Sequence, residues 1–317
     1  MASTQTHEQT KSEYDEYLQS ISPLYFRRKT KIDFEGFNMS MLPHPERPTH
    51  FLATIRQVEH YSHESYPQAY NRTFLLELDS LFRVVEANEM KEVATSRKIH
   101  RSYSIGLEDC RLINEHFMTA VTLDTNDDWL PEMSLCNITH QNGEITKVQP
   151  LHFGGDEDEK FAEKNWLVLK YMERNGSIHL IHSYDPLRIV SVDINNGYSS
   201  LISMKRIFHL NGCEIHGGAC IYLSHKKQYL VAVRVVQHHK YMFSHWILLN
   251  DLYTYVGISE RFYFEPYTEK KYEMCMSLTL NETNKKLFAS VSIDDTDVYV
   301  YEYMLEDILN MIGRDKK

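Results

Sequence analysis

Apolar and polar residues alternate along this chain in short runs. FLATIRQV (Phe51–Val58), TFLLEL (Thr73–Leu78) and HFMTAVTL (His116–Leu123) come first. NWLVLKYM (Asn165–Met172), SIHLIHSY (Ser177–Tyr184) and QYLVAVRVV (Gln228–Val236) follow. SHWILL (Ser244–Leu249), LFASVSI (Leu287–Ile293) and VYVYEYM (Val298–Met304) complete the series. Each run is short, rich in β-branched and aromatic side chains and bounded by turn residues, which predicts strands. ERNGS (Glu173–Ser177) and NETNKK (Asn281–Lys286) read as hairpin turns, and QNGE (Gln141–Glu144) carries the Asn-Gly signal. LEDILNMI (Leu305–Ile312) breaks the pattern: Leu305, Ile308, Leu309 and Ile312 fall on one helical face. Residues 1–18 are polar and read as a flexible tail, with a single domain over 19–317.

Many strands without interleaved helices argue against a parallel α/β sheet and leave a sandwich, a barrel or a propeller. The unit of strand, turn and strand recurs at roughly 50–60 residues, near the size of a propeller blade. The abundance of Tyr (21) and Phe (14) agrees with an all-β chain. The net charge of -10 disfavours binding to a phosphate backbone. Neither a secretory apolar core nor a run long enough to span a membrane is present in the sequence, so the expected location is the cytoplasm. Five cysteines without a C-x-x-C pair read as reduced thiols.

Candidate chemistry is concentrated in a few segments. In SIGLEDCRLI (Ser104–Ile113), Glu108, Asp109 and Arg111 crowd the start of an apolar strand. On an extended chain Asp109 and Arg111 point the same way, either as an ordinary strand-end ion pair or as an oriented carboxyl group. GGDEDEKFAEKNW (Gly154–Trp166) reads as an acidic loop, and its Lys164 and Asn165 could hold an oxyanion or sugar hydroxyls. HSYDPLRIV (His182–Val190) puts Tyr184 and Asp185 at a turn that could face a pocket. In NGCEIHGGACIYL (Asn211–Leu223), Gly217 and Gly218 would let a ligand approach the backbone closely. Cys213, His216 and Cys220 match no common zinc spacing, so no metal is expected. Asp294, Asp295 and Asp297 read as an acidic hairpin. The chain has no phosphate-binding loop, dinucleotide fingerprint, nucleophile elbow or zincin motif, so the reactions built on them have no support.

Taken in order, these segments resemble the inverting β-mannoside phosphorylases and the related β-1,2-mannosyltransferases of some protists. The resemblance runs from about Phe37 to Ile312 through FNMSML (Phe37–Leu42), ATIRQVEHY with Arg56, GLEDCR (Gly106–Arg111), EKNW (Glu163–Trp166), SYDPLRIV, HGGA (His216–Ala219) and SHWILLNDLYTYVGISERFYF (Ser244–Phe264). It implies an all-β, five-bladed propeller with a short C-terminal helix and a site at the centre of one face. It implies Asp109 as general acid. Arg56, Glu108, Arg111, Asn165, Tyr184, Asp185, Gly217, Gly218 and Asp297 would line the sugar pocket, and Lys164 and His216 an anion site. No cofactor is implied beyond inorganic phosphate or a sugar 1-phosphate as co-substrate, and the partner is an oligosaccharide. Phosphate is already a nucleophile, so phosphorolysis needs one acid and cations, whereas an inverting hydrolase needs two carboxyl groups. Two positions depart from the family pattern: Cys110 stands where Pro is common, and His216 where relatives often have Arg. The expected activity is inverting transfer of a glycosyl, expectedly mannosyl, unit. The rival readings are a nucleotide-sugar-dependent glycosyltransferase on the same scaffold and a non-catalytic propeller platform.

Overall fold

The structure, a computed structural model, describes residues 24–63, 66–93, 102–126, 128, 130–153, 165–172, 176–206, 213–237, 241–265 and 272–314. The expected tail and Lys164 lie outside these residues. The first strand, β1 (Arg28–Lys31), is set aside for ring closure. Blade I contains β2 (Phe37–Pro43), β3 (Phe51–His63), β4 (Tyr66–Leu78) and β5 (Val84–Glu89). The connection onward holds the short β6 (Lys91–Glu92) and β7 (Ser104–Ile105). Blade II contains β8 (Leu107–Leu112), β9 (Phe117–Thr122), β10 (Glu132–Thr139) and β11 (Glu144–Pro150), with β6 added beside β11. After β12 (His152–Phe153), blade III is β13 (Leu167–Met172), β14 (Ser177–Tyr184), β15 (Leu187–Asp193) and β16 (Tyr198–Lys205). Blade IV is β17 (Cys213–Leu223), β18 (Gln228–Gln237), β19 (Tyr241–Asn250) and β20 (Tyr255–Ser259). Blade V begins with β21 (Glu273–Asn281), β22 (Lys286–Ile293) and β23 (Asp297–Met304). Helix α1 (Leu305–Met311) and β24 (Ile312–Arg314) end the described chain, and β24 pairs with β20.

Blade V is completed by β1, which pairs antiparallel with β23 from Arg28 opposite Glu302 to Lys31 opposite Tyr299. The ring is thus closed by hydrogen bonds between the two ends of the chain. Five-bladed all-β architecture and a single short helix among the described residues agree with the sequence expectation.

The core is divided into wedges between blades. One cluster joins Leu52 and Leu75 of blade I to Met118 and Cys136 of blade II. Another sets Leu135 against Trp166 and Leu180, across blades II and III. Ile181 and Ile189 meet Val231 and Ile247 between blades III and IV. Trp246 meets Tyr301 and Tyr303 between IV and V, where α1 also docks through Leu305 and Ile308. Phe288 and Val300 meet Met39 and Ile55 between V and I. The alternating patterns therefore describe strands buried on both faces, and each apolar face contributes to one of five seams.

The innermost strand of every blade carries one extra residue. Register shifts fall between Phe37 and Ser40 on β2, Glu108 and Arg111 on β8, and Val168 and Lys170 on β13. They recur between Gly217 and Ala219 on β17 and between Cys275 and Ser277 on β21. A bulge leaves backbone groups outside the ladder and re-aims the side chains beside it. Five bulges around one axis concentrate both effects at the centre of the ring.

Burial also fixes one response to pH. His245 is buried on β19, with Nδ1 2.8 Å from the Ser259 carbonyl oxygen. Desolvation lowers its pKa from the usual 6.5. The unfolded chain therefore takes up a proton, as pH falls through 6.5, that the folded chain takes up only at lower pH. This contribution to stability is complete above 6.5 and is lost below it, with a slope of at most about 1.4 kcal/mol per pH unit. Urea titrations between pH 7.5 and 5 should show stability falling in that window, and His245→Gln should flatten the slope.

Candidate functional site

The site is built where innermost strands begin and the β22–β23 hairpin turns. Asp109 sits in the β8 bulge at φ 50°, and Asn38 in the β2 bulge at φ 53°. Asn and Asp tolerate this left-handed region better than other residues with a side chain, which explains why these types stand here. The two bulges bring neighbouring blades into contact. Asn38 Nδ2 donates to Asp109 Oδ1 at 2.7 Å, and Arg56 Nη1 donates to the same oxygen at 3.0 Å. Both donors meet Oδ1, so that oxygen is held as an acceptor and Oδ2 is the one able to carry a proton.

Arg56, on β3, uses every face of its guanidinium. Nε donates to Asn71 Oδ1 at 2.8 Å, Nη2 lies 3.3 Å from Glu108 Oε1, and the group stands 5.1 Å above the Phe37 ring. Glu108 also accepts from Ser104 Oγ and from Asn71 Nδ2. Arg56 and Glu108 thus form a frame around Asp109.

Two cavities meet at this frame. An inner pocket of about 180 Å³ is lined by Asp109, Asn165, Arg234, Tyr272 and Met274, among others. An outer lobe of about 810 Å³ extends along blade I, past Phe37, Arg56, Glu59 and Arg72, to Asp295. Tyr103, Glu108 and Leu123 border both.

Arg234 holds the cation of the inner pocket. Its guanidinium carbon stands 4.5 Å above the Tyr272 ring, and its buried Nε and Nη1 have no hydrogen-bond partner among the described residues. The β22–β23 turn secures Tyr272: the Tyr272 N–H donates to Asp294 Oδ1 at 2.7 Å, and the Asp294 N–H donates to the Tyr272 carbonyl at 2.8 Å. The same turn places Asp295 at φ 50° at the mouth of the outer lobe. Desolvation of its carboxyl, then the nearby charge of Asp109, raises its pKa. His216 is directly opposite Arg234 across the β17–β18 ladder, so the two side chains share one face of blade IV. His216 Nε2 lies 3.5 Å from Glu214.

The structure brings Arg56, Glu108, Asp109 and Asn165 together and places His216 beside Arg234. It sets other expected residues apart. Arg111 is buried at the axis, where Nη1 donates to the Gly218 carbonyl and, at 2.9 Å, to the Met276 carbonyl. Gly218 and Met276 are the extra residues of the β17 and β21 bulges. Arg111 therefore fills the backbone demand that the bulges create, and desolvation lowers its pKa.

Gly217 and Gly218 serve close packing of neighbouring strands. A Cβ on Gly217 would stand 2.7 Å from the Tyr184 hydroxyl and 2.8 Å from the Asn165 carbonyl. One on Gly218 would stand 2.7 Å from the Ala232 carbonyl. Tyr184 is itself buried behind that contact. Asp185 is exposed at the β14–β15 turn. Asp297 is on the outer strand β23, where it pairs with Lys31 at 2.7 Å, and Asp295 occupies the cavity mouth instead. Burial pushes the Cys110 thiol up to about 12, so it is an inert core group. Among the described residues no group of three or more His, Cys, Asp or Glu side chains is placed to hold a metal, and no helix is long and apolar enough to cross a membrane.

Sequence reasoning passed over Asn38, Asn71, Ser104, Tyr103, Arg234 and Tyr272. Only Arg234 left a signal: a charge within the apolar strand QYLVAVRVV is costly unless it has a task. The others become legible only when separate blades meet.

No protein-family model matches this sequence, and no curated protein matches it. Its fold does match solved structures. The β-1,2-mannobiose phosphorylase of Listeria innocua, in complex with β-1,2-mannobiose, aligns with a TM-score of 0.61 at 11% identity, covering 93% of this chain and 97% of that one. An exo-β-1,3-galactanase of Phanerochaete chrysosporium aligns with a TM-score of 0.58 at 9% identity, covering 93% and 66% of the two chains. A hypothetical protein of Leishmania major aligns with a TM-score of 0.53 at 11% identity, over 93% and 94%. At these identities the likeness is one of fold, and the five-bladed propeller is what this chain shares with them.

Proposed function

We propose that this propeller cleaves or forms β-mannosidic bonds with inversion, using inorganic phosphate or mannose 1-phosphate as co-substrate and Asp109 as general acid. The observation that carries this reading is the Asp109 carboxyl group. Two N–H donors fix its Oδ1, while the group itself lines the inner pocket beside Arg234, whose Nε and Nη1 have no hydrogen-bond partner among the described residues. The fold likeness to a mannobiose phosphorylase supports the choice of sugar and reaction. In the phosphorolytic direction, an oxygen of phosphate attacks the anomeric carbon from the face opposite the leaving oxygen. The glycosidic C–O bond breaks, and the proton on Asp109 Oδ2 passes to the departing oxygen. The products are mannose 1-phosphate of inverted configuration and a glycan shorter by one unit. Arg234 and His216 supply the anion site, with Arg234 offering a fixed fork of donors.

Asp295 motivates a second reading. It is a second carboxyl group near Asp109, the arrangement with which an inverting hydrolase activates water. Phosphate dependence separates the two. Phosphate release from mannose 1-phosphate in the presence of β-1,2-mannobiose is expected in the wild type. Arg234→Met should raise the KM for mannose 1-phosphate about tenfold or more, with a smaller change for the acceptor. Bond cleavage at full rate without phosphate would favour hydrolysis, and no turnover in either assay would favour the non-catalytic platform.

A further inference from the structure

The outer lobe has more than four times the volume of the inner pocket, and the inner pocket alone contains Asp109 and Arg234. Its size comes from one local elaboration. Strands β3 and β4 have 13 residues each, longer than any other hairpin pair in the described ring. The extra length raises a wall beside the site. Arg72 braces it: Nε and Nη2 donate to the two carboxyl oxygens of Glu89 at 2.8 and 2.6 Å, and Nη1 donates to Glu59 at 2.6 Å. The short β7 seals its base, pairing Ala69 with Ser104 and Tyr70 with Ile105. The same contact fixes Tyr103, whose carbonyl accepts the Ala69 N–H at 2.9 Å. The Tyr103 side chain is 54% exposed and lines both cavities, so an aromatic ring stands at their border beside Glu108.

Charge narrows what the lobe can take. Its two arginines, Arg56 and Arg72, are both committed to carboxylates, while Glu35 and Asp295 add negative charge. Among the described residues that line the lobe, no arginine or lysine is left for an anionic chain, and the acidic excess repels one.

Building on the glycan reading above, we propose that the outer lobe is an extended subsite for an uncharged oligosaccharide of three or more units, with Tyr103 as the platform on which the first sugar outside the inner pocket stacks. An aromatic face gives contact area at small entropic cost, and it holds a flat apolar sugar face without needing a charge. The wall then makes chain length, rather than the terminal sugar alone, the property recognised.

Binding tests this without turnover. In the Asp109→Asn protein, calorimetry should show β-1,2-mannotetraose binding about tenfold tighter than β-1,2-mannobiose. Tyr103→Ala in that background should reduce the tetraose to the affinity of the biose, while Tyr103→Phe, which keeps the ring, should retain the gain. A tetraose carrying a 6-phosphate on the unit distal to the inner pocket should lose the gain. Equal affinities for the two lengths, or a gain untouched by Tyr103→Ala, would overturn the extended subsite while leaving the glycosidic reading in place. Full binding of the phosphorylated chain would overturn the charge assignment. Failure of either neutral sugar to bind would overturn the glycan reading itself.

Discussion

Asp109→Asn is expected to reduce phosphorolysis of natural β-mannosides by roughly 10²–10⁴-fold, the range for removal of a positioned acid. The fold should be undisturbed, for three reasons. Asn occupies the left-handed region at least as readily as Asp, so the φ of 50° costs no more than before. Its amide oxygen can take the place of Oδ1 and accept from Asn38 and Arg56. Its NH₂ then occupies the place of Oδ2, where it can donate a hydrogen bond but cannot give up a proton. A glycoside with a dinitrophenolate leaving group departs without protonation. On that substrate the variant should regain most of its rate, which separates loss of the acid from loss of binding. A variant that turned over natural glycosides at the wild-type rate would remove Asp109 from the chemistry, and with it the proposed mechanism.

Arg111→Met is expected to be the most destabilising single change at the axis. The substitution keeps the length and most of the volume of the side chain, so packing loss is small. What it removes is the donor shared by the Gly218 and Met276 carbonyls, which belong to bulges and lie outside the ladder. Leaving two buried carbonyls without their donor costs about 3–5 kcal/mol. For a chain of this size that corresponds to a fall in Tm of roughly 5–8 °C. Differential scanning calorimetry would check it. The loss should be the same with and without sugar, because Arg111 lies behind the site rather than in it. A variant with wild-type Tm but impaired sugar binding would return Arg111 to the pocket-lining role that the resemblance implied.

The sequence was most legible where local rules suffice. The expected runs 177–184 and 287–293 are found as β14 and β22, and the helix expected over 305–312 is α1 with its end at Met311. The run 51–58 gave no hint that β3 continues to His63, because EHYSH (Glu59–His63) is mostly polar and carries no apolar alternation. β1 was invisible for a related reason: RKTK is polar throughout and becomes a strand only because β23 offers it an edge. The site was legible in part. Arg56, Glu108 and Asp109 lie in strong local patterns and do meet. Proximity along the chain misled for Arg111: the β8 bulge re-aims side chains by one position, so alternation no longer tells which side chain enters a cavity, while Asp297 lies past the β22–β23 turn on a regular ladder, opposite Ile293. Asp295 and Arg234 enter instead.

The pairing of β1 with β23 imposes an order of events on synthesis. Arg28 leaves the ribosome early, and its partner Glu302 follows roughly 270 residues later. At about 5–20 residues per second, that leaves β1 without its edge for roughly 15–50 s. Four blades can assemble in that interval, each from neighbouring hairpins with short loops. The seam between blades V and I cannot, since Ile32 and Met39 wait for Phe288 and Val300. Until then the nascent chain is an open arc with two apolar flanks uncovered, and its polar first strand is the part best suited to wait in water.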